Sequence, residues 1–324
     1  MVVNPALIKA YSRMGQKGAA AGIGMMELAK HDPDMRVVVA DSVAIASLDR
    51  FNNTYPERVI NVGISEQSMV GIAAGLSSED NRAVYACTYA AFVLVKAIEF
   101  VRHNLAYHQF NVKLVGNSAG FAMETLSISH WATEDIAMAR ALPNMTILSA
   151  ADSLEAIKMV IAAHDVKGPV YIRLSGLLNC PIVHAKDFDF QIGKAITLYE
   201  GDDVAIMATG MMVRESLDAA QLLADKGIHC EVIDMHTIKP LDTMCIDRVL
   251  KKSRLVVSVE EHSIIGGLGG AIAEYLSEKG NSPRLIRIGV SDFYCKLGDL
   301  RYCWEQYGLT APQISDKIMY ELNK

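Results

Sequence analysis

The stretch Asn61-Val62-Gly63-Ile64-Ser65-Glu66-Gln67-Ser68-Met69-Val70-Gly71-Ile72-Ala73-Ala74-Gly75 decides how this chain reads. An apolar strand over 59–62 runs into Gly63, a carboxylate follows at Glu66, and nearly every residue beyond it is small or apolar. Gly63 gives the turn its conformational freedom, and Ser65 is the N-cap candidate of a helix over 65–77. Glu66 falls in the first turn, where the helix dipole favours a negative charge. On that ground alone it would be a helix stabiliser. The helix behind it has almost no polar face, which predicts burial and close packing against another subunit. A carboxylate leading into such a helix is desolvated, the setting in which carboxyl groups come to serve proton transfer.

Composition narrows the function class. The 324 residues are 51% hydrophobic and 21% charged, which suits about two globular domains with large buried sheets. A net charge of −6 without a basic stripe predicts neither nucleic acid nor anionic membrane as a partner. No apolar run is long enough to span a bilayer, and the N-terminus lacks a basic segment followed by an apolar core. Six scattered cysteines without a C-x-x-C pair read as reduced thiols of a cytoplasmic protein. No His/Cys metal-ligand spacing occurs, so no metal ligands are expected on this chain.

Short β-branched apolar runs at 37–40, 59–62, 84–88, 112–115, 145–148 and 170–174 predict strands buried on both faces of a parallel sheet. Helical segments are expected at 18–30, 65–77, 90–107, 131–141 and 152–164, after a mixed lead-in over 1–16. A composition break near 179–189 marks a boundary. Beyond it a second series begins, with strands at 204–208, 230–234, 255–259 and 285–289 and helices between them. The expectation is an α/β protein of two three-layer domains with mostly parallel sheets, residues 1–188 and 189–324. The glycines at 266, 267, 269 and 270 fit no phosphate-loop pattern and read as close strand–helix packing or a subunit contact.

The run Arg58-Val-Ile-Asn-Val-Gly-Ile-Ser-Glu-Gln67 resembles the pyrimidine-binding segment of transketolases and related thiamine-diphosphate enzymes. The likeness extends over essentially the whole chain but covers only the C-terminal half of a full transketolase. It implies that Glu66 hydrogen-bonds N1′ of the cofactor's aminopyrimidine and so activates the cofactor. It places Tyr89 and Phe92, in Thr88-Tyr-Ala-Ala-Phe92, against the pyrimidine ring; without it, their i, i+3 spacing would read as core packing. His130, in Ser129-His130, corresponds to the histidine that faces substrate and assists proton transfer. Asp41 matches an aspartate near the thiazolium side, or else caps the segment after it. Glu99 and Arg102 read as a helix-surface pair.

Three departures stand out. Leu126 occupies the place of an acidic residue that contacts a donor hydroxyl, with Ser127 for glycine and Trp131 for glutamine. Glu124 is near in sequence and could read that hydroxyl instead. Gly176 stands where phosphosugar-using relatives carry an arginine, and Lys17-Gly18 where another arginine is common. The family's Gly-Asp-Gly segment, which holds Mg²⁺ or Ca²⁺ for the diphosphate, is missing. The resemblance therefore implies the second subunit of a split enzyme, α2β2 with an N-terminal-half partner that supplies the diphosphate and metal site. The implied reaction moves a two-carbon ketol unit from a ketose to an aldehyde, with non-standard specificity. The alternatives are a decarboxylating relative (a 2-oxoacid dehydrogenase E1 β subunit or a deoxyxylulose-phosphate-synthase-like protein) and a non-catalytic partner subunit.

Overall fold

The computed structural model describes residues 3–280 and 282–324. Six strands of the first half lie in one sheet: β1 (Arg36–Val39), β2 (Val59–Asn61), β3 (Val84–Tyr89), β4 (Val112–Asn117), β5 (Thr146–Ser149) and β6 (Val170–Leu174). All run parallel, and in β4 and β6 every residue is buried, as apolar runs flanked by helices on both faces require. The second half gives β7 (Ile196–Tyr199), β8 (Val204–Ala208), β9 (Cys230–Asp234), β10 (Thr237–Lys239), β11 (Leu255–Ser263) and β12 (Arg284–Val290). Five of these form the second sheet in the order β12-β11-β8-β9-β7, with β7 antiparallel at one edge. The expected two-sheet α/β architecture is what the chain adopts.

One strand crosses between the halves. β10 leaves β9 and adds antiparallel to β5, pairing Thr237 with Leu148, so the first sheet runs β10-β5-β6-β4-β3-β1-β2. Its three residues carry no alternation of their own, and neither β10 nor β7 was expected. The apolar core is likewise shared, with Leu114 and Ile147 in one cluster with Ile233, Met235 and Ile272.

Several helices differ from expectation. Of the expected lead-in over 1–16, residues 1–2 lie outside the described residues and Pro5 onward is helical to Ala19 with a break at Gly15 (φ +68°), Pro5 standing at the first position and the Asn4 side chain accepting from Leu7 N at 3.0 Å. The span 90–107 is not one regular helix; wide π-type turns at Ala91–Lys96 and Val101–Tyr107 flank a short α turn at Ile98–Phe100. In 131–141 only Asp135–Arg140 is α-helical, because Ala132 bridges Gly120 and holds the segment before it extended. A helix at Leu300–Tyr307, capped by Asp299, had no counterpart in the expectation. The glycine cluster lies where Glu260 caps the next helix, accepting from Leu268 N at 2.7 Å and Gly269 N at 2.8 Å. That carboxylate fills the place an anion would take, so the packing reading of these glycines holds.

Candidate functional site

In a parallel sheet all carboxyl ends open on one edge, where ligands of α/β folds bind. Along β6-β4-β3-β1-β2 that edge carries Ser175 and Gly176, Ser118, Tyr89, Asp41, and the turn from Asn61 to Glu66. The turn is tied down by Asn61, whose Oδ1 accepts from Asp41 N at 2.9 Å and Gly63 N at 3.0 Å. Gly63 has φ +75°, a left-handed conformation that glycine takes without strain. Ser65 sits at the N-cap but does not cap; its hydroxyl bonds the Ser68 hydroxyl at 2.7 Å.

Glu66 opens the helix Glu66–Asp80 and is 2% exposed. Met69, Val70, Ala73 and Ala74 pack this helix onto the sheet, while Ser68, Ile72 and Gly75 remain exposed in the single chain. Within this chain burial covers one face, and the other is open to the packing against another subunit that the sequence predicts. Within the molecule the Glu66 carboxylate is met by Lys96, Nζ to Oε2 at 2.5 Å. The same ammonium lies 5.6 Å from the centroid of the Phe92 ring. Lys96 was missed in the sequence; its one signal is a lone cation four residues after Phe92 in an otherwise apolar run.

Phe92 joins the cluster to the rest of the site. Its ring is 5.4 Å from that of Tyr89, nearly perpendicular, and 5.0 Å from the imidazole of His130. Tyr89 and His130 meet edge to face at 5.1 Å. Glu66, Tyr89, Phe92 and His130 therefore form one continuous patch through Lys96, although they come from three separate segments. Asp41 lies on the same edge but touches none of these rings among the described residues. Its φ of +53° marks the end of β1, and its side chain meets Asn61 Nδ2 at 3.4 Å instead of capping the next segment.

The hydrogen bonds of His130 assign its tautomer. The Ser129 hydroxyl gives its single proton to the Leu126 carbonyl at 2.7 Å, so at 2.9 Å it can only accept from His130 Nδ1. Nδ1 then carries the proton, and Nε2 is left as the proton acceptor. The turn that presents His130, Glu124–Ser129, is strained: Glu124 has φ +36° and Ser127 +58°, both outside the comfort of a side chain. Leu126 and Ile128 are about half exposed on it. Trp131, by contrast, is 2% exposed, stacks edge-on to Phe121 at 5.0 Å and donates to the Glu124 carbonyl at 3.2 Å. It faces the core and cannot stand in for a substrate-facing glutamine. Glu124 is also engaged, accepting from Leu300 N at 3.3 Å.

Behind the turn, a buried guanidinium anchors the segment. Arg173 donates to Asp135 at 2.9 Å and to the carbonyls of Ala132 and Glu261, while the Tyr171 hydroxyl donates to Asp135 at 2.6 Å. Asp135, the first residue of its helix, is thereby tied to β6, and through Arg173 to the second half of the chain. The surface pairing expected of Glu99 with Arg102 is absent among the described residues. At Gly176 a Cβ would lie 2.6 Å from Cys180 Sγ and 2.7 Å from Gln16 Cγ. Gln16 Oε1 accepts from both Ser175 N and Gly176 N at 2.8 Å. An arginine has no room there; glutamine occupies its place. Lys17, one residue on, is half-buried, and burial pushes its ammonium pKa down.

The chain matches the family description "Transketolase, pyrimidine binding domain" over residues 17–180 and "Transketolase, C-terminal domain" over 193–314. It belongs to the transketolase family. It is 40% identical to a 6-deoxy-6-sulfo-D-fructose transketolase subunit of Clostridium sp., over 90% of this chain and 89% of that one. It is 37% identical to an apulose-4-phosphate transketolase subunit of Actinobacillus succinogenes, over 89% and 92%. Among solved structures, a split-gene transketolase described as an inactive β4 tetramer superposes with a TM-score of 0.86 at 37% identity, covering 95% of this chain and 98% of that one. Family membership implies dependence on thiamine diphosphate, and the split relatives imply a partner carrying the N-terminal half.

The residues present fit half of that cofactor. A buried carboxylate beside two half-exposed aromatic rings suits a flat heteroaromatic with a ring nitrogen. Among the described residues the His/Cys/Asp/Glu cluster with ligand spacing is Glu155-His184-Asp234, and it is wholly buried. There His184 Nε2 lies 3.3 Å from Asp234 and 3.6 Å from Glu155. Burial alone would lower the imidazole, but the two carboxylates outweigh it and raise its pKa to about 10. The cluster is an internal ion pair. No helix among the described residues is long and apolar enough to cross a membrane.

Proposed function

We propose that this chain is the subunit of a split transketolase-type enzyme that moves a two-carbon ketol unit from a ketose donor to an aldehyde acceptor. The observation that carries the reading is the continuous patch of Glu66, Phe92, Tyr89 and His130 at the carboxyl edge of the first sheet. Thiamine diphosphate, when bound, supplies the nucleophilic carbon that carries the two-carbon unit. Glu66 would share a proton with the pyrimidine ring nitrogen, and Tyr89 and Phe92 would hold the ring. His130 takes and returns substrate hydroxyl protons at Nε2. Asp41 borders the site from the end of β1. The pyrimidine-binding domain runs to about residue 188, and the C-terminal domain follows from 189.

The diphosphate and its Mg²⁺ or Ca²⁺ are held by the partner subunit, with the cofactor at the interface of a cytoplasmic α2β2 assembly. The exposed small-residue face of Glu66–Asp80 supports such a contact. Leu126 in place of an acidic group, and a Gly176 site closed to arginine, favour a donor other than the usual sugar phosphates. Production with an N-terminal-half transketolase subunit, followed by calorimetry of thiamine diphosphate and Mg²⁺ and a ketose screen, tests the reading. Binding by the complex with ketol transfer is expected. Binding by this chain alone, or release of carbon dioxide from pyruvate without ketol transfer, would sink it. Glu66→Gln is expected to lower turnover by about a hundred-fold or more.

A further inference from the structure

Lys96 belongs to no motif, yet it is the direct partner of the residue on which cofactor activation rests. The Glu66 carboxylate is 2% exposed, and an isolated buried carboxylate is costly. Its only side-chain hydrogen bond among the described residues comes from Lys96 Nζ, to Oε2. Oε1 is left over. The lysine side chain is 45% exposed, so its stem reaches in from the edge and is anchored at its tip by this contact and by the Phe92 ring. Phe92 in turn touches His130, so Lys96 stands between the carboxylate and the substrate-facing half of the patch.

We infer that Lys96 is a positioning residue for cofactor activation: it bonds one oxygen of the Glu66 carboxyl group and so leaves the other aimed at the pyrimidine ring nitrogen. With Lys96 in place the buried carboxyl group has a fixed orientation. Without the ammonium it is free to turn, and its hydrogen bond to the ring nitrogen loses that geometry. That bond is a single proton shared between Oε1 and the ring nitrogen, with no net gain or loss of atoms. Competition between Lys96 and the ring does not arise, because the two use different oxygens.

This inference rests on the thiamine-diphosphate reading above, and its test separates the two. Lys96→Met, Lys96→Arg, Glu66→Gln and the Met/Gln double variant are prepared in complex with the N-terminal-half partner. Thiamine diphosphate affinity with Mg²⁺ is measured by calorimetry, with subunit association followed by sedimentation. Lys96→Met is expected to weaken cofactor binding about ten-fold or more with association unchanged, and Lys96→Arg to restore most of it. In the Glu66→Gln background the same Met substitution is expected to change affinity by less than about two-fold, since it acts only through the carboxylate. An equal loss in both backgrounds overturns the inference, as does a change below about two-fold with Glu66 present. A native complex that binds no thiamine diphosphate defeats the cofactor reading itself.

Discussion

His184 ties the two halves of the chain together, and its charge gives that tie a pH dependence. Its ring is 4% exposed, between Glu155 of the helix Ser153–His164 and Asp234 at the end of β9. Its own N–H and that of Val183 bond Asp152, at 2.7 and 3.0 Å. The folded pKa of about 10 lies above the unfolded value of 6.5. The stabilisation is therefore complete below pH 6.5 and is lost as pH rises through about 10. That displacement corresponds to a ceiling of about 5 kcal/mol, reached below pH 6.5. Burial, with Glu155 beside it, raises the pKa of Asp234 well above the ordinary carboxylate range, a shift of the same sign. The assay is urea unfolding of the native protein and His184→Gln at half-unit steps from pH 6 to 10. Lysines and tyrosines titrate in both proteins, so the difference between them reports the Glu155-His184-Asp234 cluster. That difference is expected to be several kcal/mol at pH 6.5 and to shrink steadily towards pH 10. A difference that stays constant across the range would refute the charged-clamp reasoning.

Other outcomes rest on individual contacts. Ser127 holds φ +58° with a side chain, so Ser127→Gly is expected to stabilise the fold by about 1 kcal/mol, seen as a higher Tm. Arg173→Met leaves Asp135 as an unpaired buried charge and is expected to cost about 3–5 kcal/mol in urea unfolding. Gly176→Ala places a Cβ against Cys180 and Gln16, and a loss of about 1–3 kcal/mol is expected in the same assay. Unchanged stability there would mean that Gln16 moves aside.

Much of the site was legible because its chemistry is local in sequence. The turn from Asn61 to Glu66 declares itself by a strand, a glycine, a carboxylate and a helix in immediate succession. Tyr89 and Phe92 follow a strand at the expected distance, and His130 keeps its serine. Lys96 was not legible: a lysine at the end of an apolar turn looks solvated until the chain brings Glu66 to it from thirty residues away. The place of Trp131 was not legible for the converse reason, since its position in the run showed only a departure from glutamine while its indole turns into the second core. Ser129 was legible as a neighbour of His130, but its role in assigning the imidazole tautomer depends on where the Leu126 carbonyl lies.

By itself the sequence determined the layered α/β architecture, because buried parallel strands must be continuous apolar runs and the turns between them are marked by glycine and polar residues. It also determined the family, through motifs whose residues are contiguous. Only the tertiary structure decided the crossing of β10 into the first sheet, the wide helical turns around Lys96 and the buried His184 clamp. It alone decided the closing of Gly176 by Gln16. Each of these depends on partners distant in sequence, and pairing energies between distant groups leave no periodic trace in the chain that makes them.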